Sequence, residues 1–99
     1  MTSKQRAYLK SIAMTTDAIL QIGKGGVTPE NTASAEEALV ARELIKISVL
    51  NNCMEDPKDL ARVLAERTRS EVVQVIGKKI VLYREGKDDK KKIVLPSAK

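Results

Sequence analysis

Gly23-Lys24-Gly25-Gly26 is the stretch of this 99-residue chain whose residue types and spacing could do chemistry. Three glycines around one lysine let the backbone turn tightly and approach another backbone closely. They lead into Thr28-Pro29-Glu30, a helix start with Thr28 at N-cap and Pro29 at the first helical position. Amides at a helix N-terminus attract phosphate, and a lysine in the loop adds a point charge. Two phosphate-binding spellings fail here. A P-loop needs G-x-x-x-x-G-K-[ST], but this lysine sits inside the glycines and no Gly-Lys-Ser/Thr triplet exists. A dinucleotide fingerprint needs G-x-G-x-x-G, but Gly23-Lys24-Gly25 is followed three places later by Thr28. The chain is also too short for a nicotinamide-cofactor domain plus a substrate domain.

What remains is G-x-x-G with a basic residue inside, the loop that KH domains use to clamp a nucleic-acid backbone. A plain strand-to-helix turn has the same spelling. Other chemistries are poorly served. With no histidine, His-ligated metals, His general bases and Ser-His-Asp machinery are excluded. The one cysteine, Cys53, allows neither an intrachain disulfide nor a cysteine-cluster zinc site, and points to the cell interior. Glu36-Glu37 and Asp88-Asp89 are adjacent pairs, and neighbours on a helix do not face one another. No catalytic constellation, cofactor or small-molecule substrate is expected.

The charge balance is compatible with a polyanion. The formal net charge is +5, from 18 basic and 13 acidic residues. Lys4, Arg6 and Lys10 precede the first acid, Asp17, while Lys78, Lys79, Arg84 and four further lysines crowd residues 78–92. Such an excess also occurs in proteins that bind no polyanion, and an adaptor meeting an acidic protein is the second reading it leaves open. Only Tyr8 and Tyr83 are aromatic. Both are expected to pack rather than stack, so base stacking on a sheet surface, as in RRM domains, is not expected. Backbone and shape recognition, with strong salt dependence, is.

The elements that must position these residues follow from periodicity. Ser3 can cap a helix running to about Thr15, with Tyr8, Leu9 and Ile12 on one face and Arg6 and Lys10 on the opposite one. Ala18–Ile22 reads as a strand. The helix from Pro29 to about Arg42 has a thin inward stripe of Asn31, Ala35, Ala38 and Leu39. Leu44–Val49 alternates as a half-buried strand, and Asn51-Asn52-Cys53 is a loop. Asp56-Pro57 opens a third helix whose buried stripe is Leu60, Val63 and Leu64, with Arg62 and Arg69 projecting away. Val72–Ile76 and Ile80–Arg84 are β-branched runs joined by a Gly77-Lys78-Lys79 hairpin. The order α-β-α-β-α-β-β predicts an α+β fold of two-layer type with a mixed four-stranded sheet. Residues 1–86 form one domain. Residues 87–99 are a basic polar linker, expected to be mobile, and a short apolar tail, Ile93–Pro96, that can dock on the domain. The run Ala7–Met14 is broken by Lys10 and Ser11, so it is no export signal, and no stretch approaches a membrane span.

Several spaced blocks together resemble one family. They are Lys4-Gln5-Arg6-Ala7-Tyr8-Leu9-Lys10, Ile22–Thr28, Ala38-Leu39, Glu43–Ile47, Val73–Lys78, Val81-Leu82-Tyr83-Arg84 and Lys92–Pro96. Their order and content resemble the CRM domain, the chloroplast RNA splicing and ribosome maturation module, in its stand-alone bacterial YhbY-type form. Asn31 and Ala35 depart from it, since members tend to carry larger apolar residues there. The resemblance implies a fold similar to the C-terminal domain of translation initiation factor three. It also implies an RNA-binding protein associated with precursors of the large ribosomal subunit. Beside it, the single cysteine and the lack of a catalytic constellation lead to the expectation of a cytoplasmic, non-catalytic monomer. The expected RNA-binding residues are Gly23, Lys24, Gly25 and Gly26, extended by a basic face of Arg6, Lys10, Lys78, Lys79 and Arg84.

Overall fold

A computed structural model describes residues 1–86 and 93–96; the polar run 87–92 and the last three residues lie outside the described residues. Seven elements occur in the expected order: α1 (Ser3–Ala13), β1 (Ala18–Ile22), α2 (Pro29–Arg42), β2 (Leu44–Val49), α3 (Pro57–Thr68), β3 (Glu71–Ile76) and β4 (Lys79–Tyr83). The sheet order is β1-β2-β4-β3. β1 and β2 are parallel, as a β-α-β unit requires, and the remaining pairings are antiparallel. No helix among the described residues is long and apolar enough to cross a membrane.

The helix starts are written locally. Thr2, not Ser3, caps α1: its hydroxyl accepts from the Gln5 amide while the Gln5 side chain accepts from the Thr2 amide. Thr28 and Asn31 make the same reciprocal pair at α2. Asn31 is therefore a capping residue rather than part of the inward stripe, which consists of Ala35 and Leu39 with Ala38 half-buried against them. Ala35 is fully buried, so the small side chain brings α2 close to the sheet. Asp56 caps α3.

Helices lie on both faces of the sheet. α2 and α3 cover Ile45, Ile47, Val49, Ile80 and Leu82, which together with Leu39, Leu60 and Leu64 form the main core. The alternate strand residues Leu44, Val81 and Tyr83 point the other way and pack with Val73 under Leu9 and Ala13 of α1. The two-layer expectation thus describes the main body, and α1 adds a partial third layer. β2 is not half-buried: five of its six residues are buried, because it is a central strand covered on both faces. α1 is rolled from its expected orientation. Leu9 and Ala13 face inward, Tyr8 is 41% exposed rather than core, and Arg6 turns toward β3.

α2 ends at Glu43, a fully buried residue at φ +65. Its carbonyl accepts from the Arg84 amide. Its carboxylate accepts from the amides of Gly86 and Ile93, both at 2.6 Å. Ile93 and Leu95 pack on the α1 side of the sheet, and the Gln5 side chain donates to the Pro96 carbonyl.

Candidate nucleic-acid interface

The parallel β1–β2 pair and the antiparallel β4 bring three loops to one end of the sheet. The β1 exit carries the glycine turn, the β2 exit carries residues 50–56, and Gly77-Lys78 joins β3 to β4. Backbone hydrogen bonds tie these roots together. The Leu50 amide donates to the Ile22 carbonyl at 2.8 Å, and the Val49 amide to the Lys78 carbonyl at 2.7 Å. The N-termini of α2 and α3 open from the same loops, so their positive dipole ends lie at this end.

Gly23–Gly26 is a tight turn closed by the Gly26 amide donating to the Gly23 carbonyl at 3.0 Å. Gly26, at φ +67, needs the left-handed region; Gly25 does not. The Glu55 carboxylate occupies the space a Gly26 side chain would take. The tip, Lys24-Gly25, is exposed. Lys24 makes no side-chain hydrogen bond or ion pair among the described residues, so its ammonium is available. Between the turn and α3 runs a shallow cavity of about 300 Å³, lined by Gly25, Val27, Glu55, Asp59, Leu60 and Arg67 among others.

Lys78 stands at the hairpin tip and donates to Asn51 Oδ1 at 3.2 Å, which carries positive charge across to the β2 exit. The hairpin loop is two residues long. Ile76 pairs with Lys79, so Lys79 belongs to β4 rather than the turn, and Gly77 at φ +54 supplies the positive φ such loops need. Lys79 donates to Ser48 Oγ at 2.6 Å. Lys24, Lys78 and Lys79 therefore share one end of the molecule.

The remaining basic residues do not continue that end as one face. Lys10 is exposed on α1. Arg6 is half-buried, not on the solvent side: its guanidinium donates to the carbonyls of Val72 and Val73. A β-bulge lies between Val72 and Gln74, and a bulge leaves backbone groups without ladder partners. Arg6 thus pins α1 to an irregularity in β3. Arg84 follows β4 at the opposite end of the sheet. It pairs with Glu36 at 2.6 Å and donates to the Thr68 carbonyl at 2.8 Å. The hydrogen bond from Arg84 and the charges of Arg84 and Arg69 hold the Glu36 carboxyl below its ordinary value against a smaller opposing effect of burial. Tyr83 is a packing residue, as expected: it is 3% exposed, its hydroxyl has no partner among the described residues, and burial with nearby Glu43 and Glu85 pushes its pKa up to about 12. Cys53 is buried in the main core.

Two residues of consequence escaped the sequence reading. Glu55 has no periodic or motif signal, and only the folded loop shows it against Gly26. Glu43 reads as one more charge before a strand, although a helix end abutting a strand without glycine does signal an unusual φ.

Comparison with known proteins places this arrangement among relatives. The model of the CRS1 / YhbY (CRM) domain matches residues 1–84. The "Probable RNA-binding protein YqeI" of Bacillus subtilis is 50% identical over 96 residues, which span 97% of this chain and 99% of that protein. An "RNA-binding protein" of Haemophilus influenzae is 32% identical over 90 residues, 91% of each chain. The solution structure of SAV1595 from Staphylococcus aureus is similar at a TM-score of 0.80 and 50% identity, covering 97% of this chain and 100% of that one.

Proposed function

Because the chain belongs to the CRS1 / YhbY (CRM) domain family, we propose that it is a cytoplasmic, non-catalytic RNA-binding protein whose glycine turn grips a phosphate. The observation that carries this reading is the exposed, unpaired Lys24 on a tight glycine turn, set beside Lys78 and Lys79 at one end of the sheet. The exposed Lys24-Gly25 tip lets a phosphodiester come close to backbone, and Lys24 supplies the charge. The names of the relatives support RNA as the partner. Structured ribosomal RNA of the large-subunit precursor is the target we assign, with assistance to assembly as the role and a monomer as the acting form.

Arg6, Lys10 and Arg84 enter this proposal differently from Lys24, Lys78 and Lys79. Lys10 extends the basic surface along α1. Arg6 and Arg84 already spend their guanidinium groups within the fold, so their part in binding is to hold the surface in shape. The reading is tested by measuring binding of wild type and Lys24→Ala to ribosomal RNA fragments and matched duplex DNA across a salt series. Salt-sensitive binding to RNA that weakens with Lys24→Ala is expected, with the salt slope falling by about 0.7–0.9 for the lost phosphate contact. Binding no tighter than that of a generic polycation would overturn it in favour of a protein-binding adaptor.

A further inference from the structure

α1 covers only part of its face of the sheet. It packs on Leu44, Val73, Val81 and Tyr83, mostly toward the end away from the glycine turn. Nearer the loops the face is open, and strand register decides what is displayed. Lys79 lies opposite Ser48 on one side and Ile76 on the other, while Val81 lies opposite Lys46 and Gln74. Lys46 and Lys79 are therefore diagonal neighbours, a separation their long side chains easily span. With Ala13 and Met14 at the end of α1, Lys46, Gln74, Ile76, Lys79 and Val81 line a depression of about 160 Å³. Met14 and Ile76 at its rim are 82% and 61% exposed.

Among the described residues the charge here is uncompensated. Neither Lys46 nor Lys79 has a carboxylate partner among the described residues. Lys79 is held by the neutral Ser48 hydroxyl at 2.6 Å, which orients its ammonium without cancelling it. Two adjacent like charges on a sheet repel, and an anion between them relieves that repulsion. An apolar floor, two cations and one side-chain amide together match a nucleotide: phosphate, sugar or base face, and base edge.

We propose that this depression is a second RNA-contacting site, taking one phosphodiester between Lys46 and Lys79 with the adjoining nucleotide laid on Val81, Ile76 and Met14. It rests on the RNA-binding reading above and adds a contact on the sheet face opposite α2 and α3. Lys78 adjoins Lys79 at the hairpin tip and reaches Asn51 at the β2 exit, so it links this site to the loop end that carries the glycine turn.

The test titrates a large-subunit ribosomal RNA fragment into the full chain as wild type, Lys46→Ala, Lys46→Arg and Lys24→Ala. Affinity is measured over a salt series, and backbone amides of the wild type are followed by NMR. Lys46→Ala is expected to weaken binding about 3- to 10-fold and to lower the salt slope by about 0.7–0.9. Lys46→Arg, which keeps the charge, should stay within about twofold of wild type on the same electrostatic argument. The amides of Lys46, Gln74, Ile76 and Lys79 should shift on RNA addition. Wild-type affinity in Lys46→Ala, or equal loss in Lys46→Ala and Lys46→Arg, overturns the site. If Lys24→Ala weakens binding while Lys46→Ala does not, the site alone falls. Absence of RNA binding by the wild type overturns the RNA reading, and the site falls with it.

Discussion

Alanine at Gly26 and alanine at Gly25 are neighbouring changes in one turn, and the structure separates their consequences. Gly26 sits at φ +67, where an L-residue meets its own following carbonyl and costs about 1–2 kcal/mol. A methyl group there also meets the Glu55 carboxylate, but Glu55 is exposed and can swing aside, so the backbone dominates. Gly25 has no such requirement. A methyl group on it meets Thr28 Cγ2 at 3.5 Å, an ordinary contact, and the substitution restricts the unfolded chain. Gly25→Ala should therefore leave stability within about 0.5 kcal/mol of wild type. Gly26→Ala should lower the melting temperature by roughly 5–15 °C, taking about 4–8 °C per kcal/mol for a domain of this size. Thermal and urea unfolding followed by circular dichroism measure both. On the RNA side the order reverses in kind: Gly25→Ala should weaken binding in a fully folded protein, because its methyl group stands where a phosphate must approach backbone. A Gly26→Ala protein as stable as wild type, or a Gly25→Ala protein as unstable as Gly26→Ala, would refute the account of this turn.

Other outcomes follow from single contacts. Arg6→Ala removes charged hydrogen bonds to the bulge carbonyls of Val72 and Val73 and should destabilise by about 1.5–3 kcal/mol in urea unfolding, with faster amide exchange in β3. Glu55→Gln removes a negative charge beside the glycine turn and should tighten RNA binding about 2- to 5-fold at low salt, an advantage that fades as salt screens it. Tyr83→Phe deletes a buried hydroxyl that has no partner among the described residues and should be neutral or stabilising by up to about 1 kcal/mol. The raised pKa of Tyr83 means the native state keeps its proton longer than the unfolded state. Stability is then intact below the ordinary value of 10.0 and is lost as pH climbs to about 12, by up to about 2–3 kcal/mol. Urea titrations at pH 9 and pH 11 should show a smaller loss in Tyr83→Phe. Glu36, held down by Arg84, works in the opposite range: its contribution is present above the ordinary carboxylate value of 4.5 and disappears as pH falls through its lowered one.

Local signals carried most of the architecture. The two proline-led starts placed α2 and α3, the β-branched hairpin placed β3 and β4, and apolar periodicity placed α1, β1 and β2. Orientation was harder to read. Tyr8 and Arg6 exchange their expected places because α1 packs on the far face of the sheet, a tertiary choice its own periodicity does not contain. Lys46 looked like the solvent side of a half-buried strand, whereas β2 is central and Lys46 faces a partly covered surface. Charge content was compatible with a polyanion partner and carried no geometry. Arg84 and Lys78, close in sequence and alike in sign, stand at opposite ends of the sheet because the whole of β4 lies between them.

The Glu43 carboxylate has a use for protein engineering. One buried side chain grips the amides of both Gly86 and Ile93, so these two residues are held against the same point of the fold. Material spliced between those two residues starts and ends on backbone that is already anchored. A fluorescent reporter or affinity module grafted there leaves the glycine turn, at the far end of the sheet, unobstructed. The same graft made in Glu43→Gln would start and end on weaker anchors.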